Sequence, residues 1–179
     1  MTQLTDKRIA MVVNNYVEEA ELAEPLKALQ DAGAKVEIIA PEAGEIQAME
    51  HDVEKGDTFH VDRTIDETDF SDYDALVLPG GAVNADRLRT IPKVKEAIKL
   101  FMSTGRPLAA ICHAPWVLIS AGMAKGRRLT SFATLQDDLR NAGADWVDEA
   151  VVIDKNLITS RQPDDIPQFS NAIISMLAA

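Results

Sequence analysis

The stretch Pro107-Leu108-Ala109-Ala110-Ile111-Cys112-His113-Ala114-Pro115-Trp116-Val117-Leu118-Ile119 carries the chain's one cysteine and decides how the fold is read. Its apolar first half ends at Cys112, and a helix-like segment follows with no room for a loop. Strands buried inside a parallel sheet are continuous apolar runs, and such sheets bind ligands at the carboxyl ends of their strands. A thiol at that corner lies near a helix N-terminus, whose partial positive charge favours the thiolate. A second reading stays open at this point, because free cysteine is often buried as a small hydrophobe.

The flanking sequence repeats the alternation. Arg8 to Asn14, Lys35 to Ala40, Asp74 to Pro79 and residues 107–111 read as buried strands. Helical spacing marks Glu19 to Ala32 (Leu22, Leu26, Leu29, then Gly33) and Pro92 to Thr104 (Val94, Ile98, Phe101). Further helices are expected from His113 to Ala121 and from Leu135 to Ala142. A last one begins near Pro163 and carries Ile166, Phe169, Ile173 and Leu177. Val151 to Ser160 reads as a hairpin. Residues 45–70 are polar and weakly patterned, with short strands and loops expected, one of them at 59–62. Without linkers or repeats, this is the pattern of one α/β domain over residues 1–179 with a mostly parallel sheet.

Composition narrows the function. No apolar stretch approaches the roughly 20 residues that span a bilayer. The opening Met1-Thr2-Gln3-Leu4-Thr5-Asp6-Lys7-Arg8 lacks a signal peptide's apolar core and cleavage site, and a single cysteine excludes an intrachain disulfide framework. A cytoplasmic setting is therefore expected. Against 29 acidic residues stand 18 basic ones, a formal charge of −11 that argues against stable binding to nucleic acid or anionic membranes.

Three segments follow strand ends and belong on the same edge of the sheet: Glu18-Glu19-Ala20-Glu21, Pro79-Gly80-Gly81 and Cys112-His113. Cys112 supplies a nucleophile. Gly80 and Gly81 permit close backbone approach and N–H groups aimed at an oxyanion, or else simply make a tight turn. Glu18 and Glu21, three apart at a helix start, are pocket residues or partners of the helix dipole. An ionised Glu21 beside Cys112 would oppose thiolate formation, whereas a protonated one would donate a hydrogen bond to it, so the pair would titrate together. His51 and His60 lie in the irregular segment without metal-ligand spacing and are assigned no role, and the methionines are read as packing.

Together these residues resemble the PfpI-like family of the class I glutamine-amidotransferase-like superfamily, whose members include intracellular peptidases, stress proteins and glyoxalases or deglycases. The resemblance extends over nearly the whole chain, through Leu118-Ile119-Ser120-Ala121-Gly122, Gly126-Arg127, Asn141-Ala142-Gly143-Ala144 and Thr159-Ser160-Arg161. It implies a flavodoxin-like three-layer sandwich with helices on both faces of the sheet and a nucleophile elbow. Cys112 is then the nucleophile, His113 the base, Glu21 the carboxyl bonded to the cysteine and Glu18 a pocket residue. Asp86 matches an acid that in peptidase members reaches a neighbouring subunit's histidine, although it is one methylene shorter than the family's glutamate. Ala114 stands where glycine is common, and Ser131-Phe132 where a tyrosine is common.

The reading that results is a stress-response protein, a homodimer or larger homo-oligomer needing no cofactor or metal, that acts on a small carbonyl substrate or a carbonyl-modified protein. A cysteine peptidase is the first alternative, and a non-turnover redox sensor or chaperone-like protein the second. A glutamine amidotransferase would need a histidine in a later segment, and His113 is the last in the chain. Gly80-Gly81-Ala82-Val83-Asn84-Ala85 is no dinucleotide or phosphate loop.

Overall fold

The structure, a computed structural model, describes residues 3–179, so Met1 and Thr2 of the opening stretch lie outside the described residues. The chain begins with β1 (Arg8–Val12), β2 (Val17–Glu18), α1 (Glu19–Asp31) and β3 (Lys35–Ala40). A hairpin of β4 (Gly44–Glu50) and β5 (Glu54–Val61) follows, then the short β6 (Arg63–Thr64). Next come β7 (Ala75–Leu78), α2 (Ala82–Leu88), α3 (Pro92–Thr104), β8 (Leu108–Ile111) and α4 (Pro115–Ser120). The remainder is β9 (Arg128–Leu129), α5 (Gln136–Asn141), β10 (Asp145–Trp146), β11 (Val151–Asp154), β12 (Leu157–Ser160) and α6 (Ile166–Ala178).

Seven strands form the central sheet in the order β11-β12-β8-β7-β1-β3-β6. Every neighbouring pair is parallel except β11 with β12. Side chains alternate between two cores, as the two-residue period of a strand requires. Ala10, Val12, Leu76, Leu78, Leu108 and Ala110 pack toward α3 and α4. Ile9, Met11, Ala75, Val77, Ala109 and Ile111 pack toward α1 and α6. This is the expected α/β sandwich.

Four local expectations need correction. Residues 44–61 form a long hairpin rather than short pieces; β5 is so solvent-exposed that its pattern carries little hydrophobic signal. Residues 82–88, unassigned above, are the helix α2. The helix after Cys112 starts at Pro115, not His113, because the chain must first turn through Cys112 at φ 64°. Glu18 lies outside the first helical turn, in an extended cap conformation at the end of β2.

At the opposite, amino-terminal edge, Glu37 on β3 is a buried ionic clamp. Its carboxylate takes Arg8 at 2.9 Å and Arg63 at 3.2 Å, joining β1, β3 and the β6 strand. Burial alone would push this carboxyl up, but hydrogen bonds, that of Arg8 foremost, hold it down at about 2. A carboxyl depressed below its unfolded value stabilises the fold above that value, and the contribution disappears as pH falls through the folded one. Glu37→Gln is therefore expected to lower the melting temperature by a few degrees at pH 7. Thermal melts should show the gap to wild type closing as pH falls from about 5 toward 2.

Candidate active site

The sheet order reverses between β1 and β7, since β3 lies on one side of β1 and β7 on the other. Open α/β sheets bind ligands at such a switch point, outside the strand carboxyl ends. Here the ends of β1, β7 and β8 converge on Cys112.

Strand alternation would turn residue 112 toward α3 and α4. The left-handed backbone at Cys112 breaks the alternation, and the side chain joins the core on the α1 side instead. Its N–H donates to the Ser160 carbonyl at 3.0 Å, and its carbonyl accepts from the Phe132 N–H at 2.8 Å. These bonds bracket the strained residue. His113 Nδ1 lies 3.2 Å from Sγ, and its ring stacks on Phe132 with centroids 4.8 Å apart. Trp116 meets the same ring edge-on at 5.5 Å.

Glu21, on the buried face of the first turn of α1, faces the thiol. Its Oε2 accepts the Gly80 N–H at 2.8 Å, and its carboxyl also interacts with the Cys112 thiol. Gly80 is squeezed between the two groups. A methyl there would collide with Glu21 Oε2 and come within 2.7 Å of Cys112 Cβ. At Gly81, φ is 94° and its N–H turns to the Cys112 sulfur. Asn84, fully buried on α2, knits the floor of the site. Its Nδ2 donates to the carbonyls of Pro79 and Gly80 at 3.0 and 2.9 Å, and its Oδ1 accepts the Asn14 N–H at 2.6 Å.

The far wall is the tip of the β4–β5 hairpin. His51 and Asp52 both adopt left-handed backbone, at φ 54° and 63°. Glu18 holds them there, with Oε1 accepting the His51 N–H at 3.1 Å and Oε2 the Asp52 N–H at 3.2 Å. Asp52 Oδ1 in turn accepts the Ala82 N–H at the start of α2, at 3.0 Å. The pocket measures about 180 Å³, with Glu18, Glu21, His51, Asp52, Cys112 and His113 on its walls beside Phe132 and Pro163.

Burial governs the electrostatics. It pushes the Glu21 carboxyl up to about 8, an effect the nearby Glu18 charge reinforces. It also pushes the Cys112 thiol well above its ordinary value, with the Glu21 charge adding to the shift. The helix terminus thus does not lower the thiol as position alone suggests. Burial also lowers His113, which stays a neutral imidazole. At neutral pH the site therefore holds a thiol, a carboxylic acid and an uncharged base.

The DJ-1/PfpI family model matches residues 7–176. The chain belongs to the DJ-1/PfpI family. Deglycase PfpI of Pyrococcus furiosus is 38% identical over 170 residues, covering 95% of this chain and 99% of that protein. Two Bacillus subtilis proteins are similarly related. General stress protein 18 is 40% identical over 173 residues, covering 96% of this chain and 98% of its own length. YraA, named as a candidate cysteine protease, is 38% identical over 171 residues with the same coverage, 96% and 98%. Among solved structures, a two-domain DJ-1/ThiJ/PfpI-like and ferritin-like protein of Anabaena variabilis superposes with a TM-score of 0.90 at 35% identity. The match covers 96% of this chain and 48% of that protein.

Within this DJ-1/PfpI fold, Cys112, His113, Glu21, Glu18, Gly80 and Gly81 come together. Two expectations change in detail. The Gly80 N–H is committed to Glu21, which leaves the Gly81 N–H as the glycine donor facing the sulfur. Glu18 spends both oxygens on the hairpin tip. Asp86 is exposed on α2 and does not line the pocket, so no triad through it forms within one chain. Sequence reasoning missed Asn84, and it missed His51 and Asp52 because nothing local marks a hairpin tip as the wall of a distant pocket.

Removing the Glu21 charge should ease ionisation of Cys112. Glu21→Gln is expected to shift the rise of ultraviolet thiolate absorbance to lower pH, and an unchanged titration would disprove the coupling. Gly80→Ala should cost about 1–3 kcal/mol by overpacking, read as a fall in melting temperature.

Proposed function

We propose that this protein converts small reactive carbonyl compounds, such as 2-oxoaldehydes or their early adducts on proteins, into α-hydroxy acids through a covalent bond to Cys112. One observation carries the reading: a pocket of about 180 Å³ holds a thiol, a carboxyl raised to about 8 and a neutral imidazole within reach of one small substrate. The deglycase name of the Pyrococcus relative supports it.

The chemistry follows from those groups. As sulfur bonds to the aldehyde carbon, the thiol proton passes to His113 Nδ1 and the carbonyl oxygen takes the proton of Glu21. Glu21, now a carboxylate, removes the C1 proton, and His113 returns its proton to the oxygen on C2. Glu21 delivers a proton to C2 as the C1 hydroxyl proton is lost to it, leaving an α-hydroxy thioester. Water cleaves that thioester and restores the thiol.

A peptidase is the second reading, favoured by the name of YraA and by the Cys112–His113 contact. Two features weigh against it: the small pocket, and the commitment of the Gly80 N–H to Glu21 rather than to an oxyanion. A redox-sensor role is disfavoured by a thiol only 5% exposed and raised by burial. The proposed setting is the cytoplasm, and the proposed assembly a homodimer or larger homo-oligomer in which Asp86 is free to meet a neighbouring copy.

Lactate release from methylglyoxal by wild type, Cys112→Ser and Glu21→Gln tests the reading, with peptide hydrolysis as control. Wild type should produce lactate. Both variants should lose at least about 10²-fold in rate while keeping native circular dichroism. Peptide cleavage without lactate would favour the peptidase. Neither activity, with Cys112 readily oxidised by mild peroxide, would favour the sensor.

A further inference from the structure

Hydrolysis of an acyl group from Cys112 needs a base that reaches water, and the groups already assigned are poorly placed for it. His113 has Nδ1 on the sulfur and its ring packed between Phe132 and Trp116. Glu21 is fully buried beneath the thiol. Glu18 has both oxygens engaged by the hairpin N–H groups, and Asp52 caps α2. His51 differs from all of these. It is exposed, its ring has no hydrogen-bond or ion-pair partner among the described residues, and it lines the Cys112 pocket.

His51 also stands at a junction. A broader groove of about 350 Å³ adjoins the Cys112 pocket, and the two share Glu18, His51 and Pro163 as walls. His51 thus lies between this groove and the Cys112 pocket. The backbone under His51 is strained at φ 54° and pinned by Glu18, so the point from which the ring projects is built into the fold.

We propose that His51 is the general base that activates water for cleavage of the Cys112 acyl-thioester, with Glu18 as its positioning residue. The water oxygen bonds to the acyl carbon and gives its proton to His51. The carbon–sulfur bond breaks, and the sulfur leaves with a proton from the Glu21–His113 pair. The carboxylic acid departs, and solvent carries the His51 proton back to that pair. The groups that face His51 are Glu18 from β2, Glu19 and Glu24 from α1, Glu50 and Asp52 from its own hairpin, and Cys112, His113 and Glu21 across the pocket. Among the described residues, no Lys or Arg lines either cavity.

The inference rests on Cys112 as nucleophile but not on the carbonyl substrate, so an activated ester tests it separately. With p-nitrophenyl acetate, the full-length protein should give a rapid burst of p-nitrophenol as Cys112 is acetylated, then slow turnover limited by deacylation. His51→Asn is the chosen variant because asparagine tolerates the left-handed turn. Its burst should match wild type, while deacylation falls about 10²-fold and the acetyl-protein persists in mass spectra. Added imidazole should restore turnover in the variant. Unchanged deacylation would overturn the proposal, as would burst and deacylation falling together without imidazole rescue. A missing wild-type burst would overturn both Cys112 as nucleophile and His51 as its partner. A His51-dependent deacylation alongside no lactate from methylglyoxal would instead sink only the carbonyl reading.

Discussion

The left-handed backbone of Cys112 is the constraint on which the rest of the site depends. A non-glycine residue at φ 64° costs on the order of 1–3 kcal/mol, and the fold retains it through bonds to Ser160 and Phe132. That turn takes the sulfur out of strand alternation and aims it at α1. Without it the thiol would lie among the apolar residues beneath α3 and α4, with no carboxyl in reach. The absence of a side chain at Gly80 is the matching half of the device, since a methyl there would occupy the space between Glu21 and Cys112.

Charge in the site is suppressed at rest. A fully buried carboxyl and a nearly buried thiol cannot both ionise at such proximity, and burial keeps His113 neutral as well. In the proposed reaction, charge develops only as protons pass among these three neutral groups. Glu18 shows the contrasting use of a carboxylate. It accepts two backbone N–H groups and so holds a turn that places His51 and Asp52 over the pocket. One short segment thereby supplies a buried acid beside the thiol and an acid for architecture, three residues apart.

Legibility in the sequence followed hydrophobic pattern and breaks in it. The strand at 107–111 was readable because burial on both faces leaves no polar alternation, and its abrupt end at Cys112 marked the candidate site. The β4–β5 hairpin was not readable: most of β5 faces solvent and resembles a loop in composition. Asn84 was equally hidden, because a buried asparagine is explained only by the three backbone groups it serves, and those come from two separate loops.

By itself, the sequence determined the α/β alternation, the strand-end position of Cys112, and the segments carrying Glu21 and Gly80-Gly81. These are properties of local periodicity and of where a strand stops. Only the tertiary structure decided that Glu21 is a buried acid while Glu18 is a brace, that the Gly80 N–H serves Glu21, and that His51 stands at the pocket mouth. Each of these depends on distance and desolvation between residues far apart in the chain, from the 33 positions separating Glu18 and His51 to the 59 separating Glu21 and Gly80. No local pattern encodes such separations; the packing of the sheet and its helices creates them.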